Sequence, residues 1–155
     1  MVPLAPQPDA GSMLGGGGMG TLGSDAGEGP CNESGEFESS DGQSCYLIAT
    51  ELVGWVGARD ACREWGGELV KIETIAEEQF LLMRMEDDVW IGANDRDTED
   101  AFEWADGEPV TRFNWSMGQP DNFQGQEHCV ELRVIDQQWN DRPCGGDPQA
   151  YLCER

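Results

Sequence analysis

Gln119-Pro120-Asp121-Asn122-Phe123-Gln124-Gly125-Gln126-Glu127-His128-Cys129, followed by Trp139-Asn140-Asp141, is the stretch on which the reading of this chain turns. It gathers hard oxygen donors with no nucleophile among them. Carboxylates of Asp121, Glu127 and Asp141 with amide oxygens of Gln119 and Asn140 suit Ca2+, which takes six to eight oxygens at about 2.3–2.6 Å and tolerates irregular geometry. Five side chains leave such an ion unsaturated. With the backbone carbonyl of Asp141 added, roughly two positions remain, enough for two neighbouring hydroxyls of one sugar ring.

Further phrases stand on either side of this stretch. Upstream are Trp55-x-x-Ala58-x-x-x-Cys62, a Gly66-Gly67 stop and Trp90-Ile91-Gly92-Ala93; downstream is a terminal Cys153. In this order the motifs resemble the C-type lectin domains, and the resemblance runs from Cys31 to Arg155. It implies an α+β fold of two helices and two small antiparallel sheets, with a long calcium-ordered loop and three disulfides. It also implies a cis peptide bond before Pro120, which turns the flanking Gln119 and Asp121 carbonyls toward the metal.

Composition fits a small extracellular binding module. Residues 1–30 hold nine of the 21 Gly and four of the eight Pro, with no Lys or Arg. Such a segment buries too little apolar surface to offset its ordering entropy, so it is expected to be a flexible linker preceding a domain over residues 31–155. Neither a Gly-x-y triplet repeat nor a heptad is present. No positively charged start leads into an apolar stretch, so the chain reads as a mature or excised fragment with an added Met1. The net charge of −22 excludes nucleic acid and anionic membranes as natural partners, since both demand clustered Lys and Arg.

Six Cys, at 31, 45, 62, 129, 144 and 153, contain no C-x-x-C pair and read as disulfides of an oxidising, secreted or cell-surface location. Sequence alone permits fifteen pairings. The resemblance implies Cys31 with Cys45, Cys62 with Cys153, and Cys129 with Cys144. The second would close a loop of about ninety residues, an effect on the order of 4 kcal/mol in the chain-entropy picture.

Periodicity places the motifs. Ala58, Ala61, Cys62 and Trp65 predict an amphipathic helix from Trp55 to Trp65, and Thr74 with Glu77 forms a capping box opening a second helix through Leu81, Leu82 and Met85. Strands are expected at 69–72, 89–93, 102–104, 129–134 and 150–153. The polar, Gly- and Pro-rich stretch from Asp106 to Gln126 is too long for an ordinary connection, which marks it as functional.

Specificity is read from the order of amide and acid around Pro120. Each bound hydroxyl accepts one hydrogen bond and donates another, so the placing of donor NH2 and acceptor carboxylate selects a hydroxyl pair. In the family Glu-Pro-Asn accompanies mannose-type sugars; Gln119-Pro120-Asp121 reverses it and resembles the galactose type. The expected sugar-binding set is Gln119, Asp121, Glu127, Asn140 and Phe123, whose ring would stack on the C–H face of galactose or N-acetylgalactosamine. The Gly-rich insertion that fixes this ring in some galactose-binding relatives is missing. An auxiliary calcium site is expected at Asp95, Glu99 and Asn122, although His128, a poor ligand for a hard cation, stands where an acid is usual.

Catalysis finds no support in the residues. His128 adjoins Cys129, expected to be in a disulfide, and no G-x-S-x-G motif occurs. With 31 acidic residues, carboxylate pairs suited to a glycosidase arise by number alone. Two sequons, at Asn32 and Asn114, carry no further inference. The expectation is a non-catalytic, calcium-dependent lectin for terminal galactose-type glycans. The alternative is a module of the same fold whose calcium site orders a surface for protein or ice.

Overall fold

The structure, a computed structural model, describes residues 31–155; the linker expected over residues 1–30 lies outside them. The elements are β1 (Glu36–Glu38), β2 (Cys45–Val53), α1 (Trp55–Glu64), β3 (Glu68–Leu69), α2 (Ile75–Leu82), β4 (Val89–Asn94), a 3-10 turn (Phe123–Gly125), β5 (Cys129–Leu132), β6 (Trp139–Arg142) and β7 (Gln149–Glu154). Strands follow the order β1-β2-β7-β4-β5-β6, with β3 also paired to β7. The two antiparallel groups expected from the sequence are joined by one parallel pairing, Val89 to Ala150 and Trp90 to Tyr151, so they form a single mixed sheet.

The second strand, β2, pairs with the last, β7, and so ties the two ends of the domain together. Leu47 pairs with Cys153, and Cys45 and Arg155 exchange backbone hydrogen bonds of 2.7 and 2.9 Å. Disulfides join Cys31 to Cys45, Cys62 to Cys153 and Cys129 to Cys144. Cys62 on α1 and Cys153 on β7 lie in an apolar cluster with Trp55, Ala58, Leu69, Trp90 and Tyr151. The two indoles in this cluster satisfy their N–H groups on the backbone, Trp55 on Ile91 O at 2.8 Å and Trp90 on Val53 O at 2.9 Å.

Local chemistry explains the element ends. Helix α1 stops one residue before the expected Trp65, which caps it; Gly66 follows at φ +94°, where a side chain would be strained. A Cβ on Gly67 would lie 2.2 Å from the Glu154 carbonyl, so this position must be bare for α1 to reach β7. At α2 the Thr74 hydroxyl accepts from Glu77 N–H, while the Glu77 carboxylate reaches back to the N–H of Glu73.

Several expected strands are shorter. The strand over 69–72 ends at Leu69 because Val70 donates to Leu152 O and accepts from Gly92 N–H, crossing between β7 and β4. The strand over 102–104 reduces to a bridge at Glu103, which pairs with Asn94 and with Pro109, a residue that has no N–H to extend a ladder. Three strands, β1, β2 and β6, stand outside those expected from the sequence.

A second core lies between the sheet, α2 and the long segment from Asp95 to His128, and it positions the candidate site. Phe102, Phe113, Trp115 and Trp139 pack edge to face or stacked, with ring centroids 4.9–6.3 Å apart. Beneath them the buried Glu78 of α2 accepts from Trp139 Nε1 at 2.7 Å, from Asn114 Nδ2 at 3.0 Å and from Arg112. One carboxylate thus ties α2, the long segment and β6 together.

Removing the cation from this hub leaves a buried charge without its counter-ion. Arg112→Met is therefore expected to lower stability by about 3 kcal/mol in urea denaturation. An unchanged unfolding midpoint would contradict the role given to Glu78.

Candidate functional site

The sequence-predicted residues Asp121, Glu127 and Asp141 converge. One carboxylate oxygen from each lies within 4.8 Å of the others. Asp141 comes from β6, where it shares the inward face with Trp139 by the two-residue alternation of a strand, and it is 1% exposed. Asp121 and Glu127 come from the loop, at either end of the 3-10 turn. The bond from Trp139 to Glu78 thus sets the depth of Asp141, two residues along the same strand.

Backbone donors hold the loop against these acids. Asp121 N–H is shared between Gln119 Oε1 at 3.0 Å and Asp141 Oδ1 at 3.2 Å; Asn122 N–H donates to Asp141 Oδ2 at 2.8 Å. Phe123 N–H donates to Glu127 Oε2 at 3.0 Å, and Glu127 N–H to Asn122 Oδ1 at 3.0 Å. These bonds require a sharp reversal: Asn122 sits at φ +40° and Gln124 at φ +60°, both in the left-handed region. Asn tolerates it because its short side chain bonds locally. Gln119–Pro120 is a cis peptide. The Phe123 ring is left 61% exposed at the rim.

Asn140 lies on the face of β6 opposite Asp141. Its Nδ2 donates to Glu131 Oε1 at 2.9 Å, and Glu131 is held in turn by Arg142 at 3.0 Å. That bond fixes the amide's orientation and leaves Oδ1 and the second Nδ2 hydrogen as what it can offer a ligand. Reasoning from sequence missed this support by Glu131 and Arg142, as it missed the support of Asp141 through Glu78. Glu131 does face Asn140 across the β5–β6 pair, but the register that brings them together is visible only in the structure.

The cluster is electrostatically uneasy. Burial, with the nearby Asp141 and Asp121 charges, pushes the Glu127 carboxyl above the usual carboxylate range; the Phe123 N–H opposes this. Burial likewise raises Asp141, with the charge of Asp121 adding to it against the N–H bonds from Asn122 and Asp121. Three acids held this close favour a multivalent cation, and an all-oxygen donor set fits calcium.

The auxiliary set lies beside it. Asp95, Glu99 and His128 offer ligand atoms within 4.8 Å of one another, while Asn122 donates its Nδ2 to Glu99 Oε1 at 2.5 Å. Among the described residues no helix is long and apolar enough to cross a membrane.

Residues 51–155 match the family described as the Lectin C-type domain. The chain is 39% identical over 114 residues to the low affinity immunoglobulin epsilon Fc receptor of Mus musculus, a match covering 73% of this chain and 34% of the receptor. It is 34% identical over 133 residues to salivary C-type lectin 2 of Aedes albopictus, covering 76% of this chain and 87% of that protein. The structure superposes on the carbohydrate-recognition domain of the mouse scavenger receptor C-type lectin with a TM-score of 0.74 at 30% identity, covering 81% of this chain and 98% of that one. Against the mouse Fc receptor, then, this chain spans about a third of the length.

The raised carboxyls carry a sign that can be checked. A carboxyl whose folded pKa lies above its unfolded value favours the native state at low pH, and that contribution is lost as pH rises through the folded value. In chelator, Glu127→Gln is therefore expected to melt higher than wild type at pH 7, with the gap closing as pH falls into the ordinary carboxylate range near 4. A variant that melts lower than wild type at pH 7 in chelator would show that the acids do not repel.

Proposed function

The chain belongs to the C-type lectin domain family, and from that membership we propose that it is a calcium-dependent, galactose-type lectin that performs no reaction. The observation that carries this is the convergence of the Asp121, Glu127 and Asp141 carboxylates beside Gln119, in the order Gln-Pro-Asp. A bound Ca2+ would leave coordination positions for two adjacent sugar hydroxyls. The proposed ion ligands are Gln119, Asp121, Glu127, Asn140 and Asp141.

The same side chains do the reading of the sugar. Each acid offers an acceptor and each amide an NH2, so Gln119, Asp121, Glu127 and Asn140 together present donors and acceptors to two hydroxyls. Gln119 before the proline and Asp121 after it give the galactose order. The exposed Phe123 ring supplies an apolar plane at the rim, suited to the C–H patch of galactose. Three disulfides, together with a salivary lectin and a receptor among the relatives, support a secreted or cell-surface location. Terminal galactose-type glycans are the proposed partners. Monosaccharide affinity is expected to be roughly millimolar, about −4 kcal/mol, because a shallow site engages few groups.

Calcium is expected to raise the melting temperature, since a ligand of the native state stabilises by mass action, and to reverse the order expected in chelator, so that wild type melts above Glu127→Gln. Unchanged melting on calcium addition would contradict the metal reading.

Specificity is tested separately on immobilised sugars. Gln119→Glu with Asp121→Asn is expected to move preference from galactose to mannose, and Phe123→Ala to weaken galactose while leaving the calcium-induced melting shift intact. A wild type that binds mannose at least as well as galactose in calorimetry would contradict the galactose assignment.

A further inference from the structure

Across Asn122 from the principal site, the chain's single histidine meets two acids. His128 Nδ1 lies 3.3 Å from Asp95 Oδ1 and 3.3 Å from Glu99 Oε2. We propose that Asp95, Glu99 and His128 form a site for a divalent transition metal of the zinc class, distinct from the calcium site. This inference does not rest on the sugar reading.

The spacing is the first argument. Charge-assisted N–H···O bonds run about 2.7–2.9 Å, so 3.3 Å is long for either contact. Two ligands of a tetrahedral ion at about 2.0–2.2 Å from the metal stand about 3.3–3.6 Å apart. Both observed separations therefore match the edges of a zinc tetrahedron.

Orientation is the second. Each acid has one oxygen held by a donor and the other turned to the imidazole. Asp95 is 2% exposed; its Oδ2 accepts from Asp100 N–H at 2.9 Å, and its own N–H donates to the His128 carbonyl at 3.1 Å. Glu99 Oε1 takes the Asn122 amide at 2.5 Å, leaving Oε2 toward the ring. Hydrogen bonds of this kind orient metal ligands and fix which oxygen they present.

Ligand chemistry is the third. Imidazole suits zinc and is a poor donor to calcium. Asn122 presents its NH2 to Glu99, while its oxygen is taken by Glu127 N–H at 3.0 Å. The auxiliary set therefore reaches this point with two carboxylates and a nitrogen rather than a cage of oxygens. Three protein ligands would leave a fourth position open to water or to a donor group from outside.

The test uses the untagged chain saturated with calcium and titrated with zinc chloride in a calorimeter. One zinc per chain is expected to bind. Loss of an outer-shell partner costs a metal site about 10–100-fold, so His128→Asn and Glu99→Gln, each removing a direct ligand, are expected to weaken zinc by more than about a hundredfold. Both variants are expected to keep the wild-type near-ultraviolet circular dichroism. Cobalt in place of zinc is expected to give the visible bands of a four-coordinate ion in wild type, absent from His128→Asn. The proposal is overturned if wild type takes up no zinc above its calcium, if His128→Asn binds zinc like wild type, or if excess calcium displaces the zinc.

Discussion

The bond from Trp139 Nε1 to the buried carboxylate of Glu78 is the constraint on which the site depends. It joins β6 to α2 across the core, and the same carboxylate collects Asn114 and Arg112 from the long segment. A charged oxygen in this environment is tolerated only with its donors in place, so the three partners cannot drift independently. Asp141 inherits that rigidity two residues from Trp139, and Asn140 receives its own restraint from Glu131 and Arg142. The loop then closes onto Asp141 through the N–H groups of Asp121 and Asn122.

What this scaffold holds is a concentration of like charge. The raised carboxyls of Glu127 and Asp141 express the cost of keeping the acids together without a cation. Binding sites often store such unfavourable interactions, and the surrounding structure must over-determine them. Here the over-determination comes from a sheet that joins both ends of the domain, three disulfides and two apolar clusters. The net charge of −22 acts in the same direction, drawing cations toward the surface.

The sequence showed the three acids that converge because their phrases are short and chemically distinctive: Gln119-Pro120-Asp121, Glu127 and Trp139-Asn140-Asp141 need only their order along the chain. Both helix starts were equally plain, since α1 carries its apolar period and α2 its capping box, whereas α2 ends at Leu82, short of the expected Met85. The supports were not. Glu78 and Trp139 are 61 residues apart, and nothing local marks Glu78 as the partner of a side chain so far along the chain. Strand lengths failed where backbone groups crossed between partners, as at Val70, or where a proline interrupted pairing, as at Pro109. The parallel β4–β7 contact that joins the sheet depends on topology rather than on pattern. His128 was recognised as an ill-fitting calcium ligand, but its equal distance from Asp95 and Glu99 needed coordinates.

A crystal structure of the chain grown with calcium and N-acetylgalactosamine tests the central claim most directly. The account predicts one calcium ion held by the oxygens of Gln119, Asp121, Glu127, Asn140 and Asp141, with two adjacent hydroxyls of the sugar completing its shell and Phe123 against the ring. A sugar bound elsewhere on the surface, or a calcium ion that leaves the carboxylates of Asp121, Glu127 and Asp141 unligated, would contradict it.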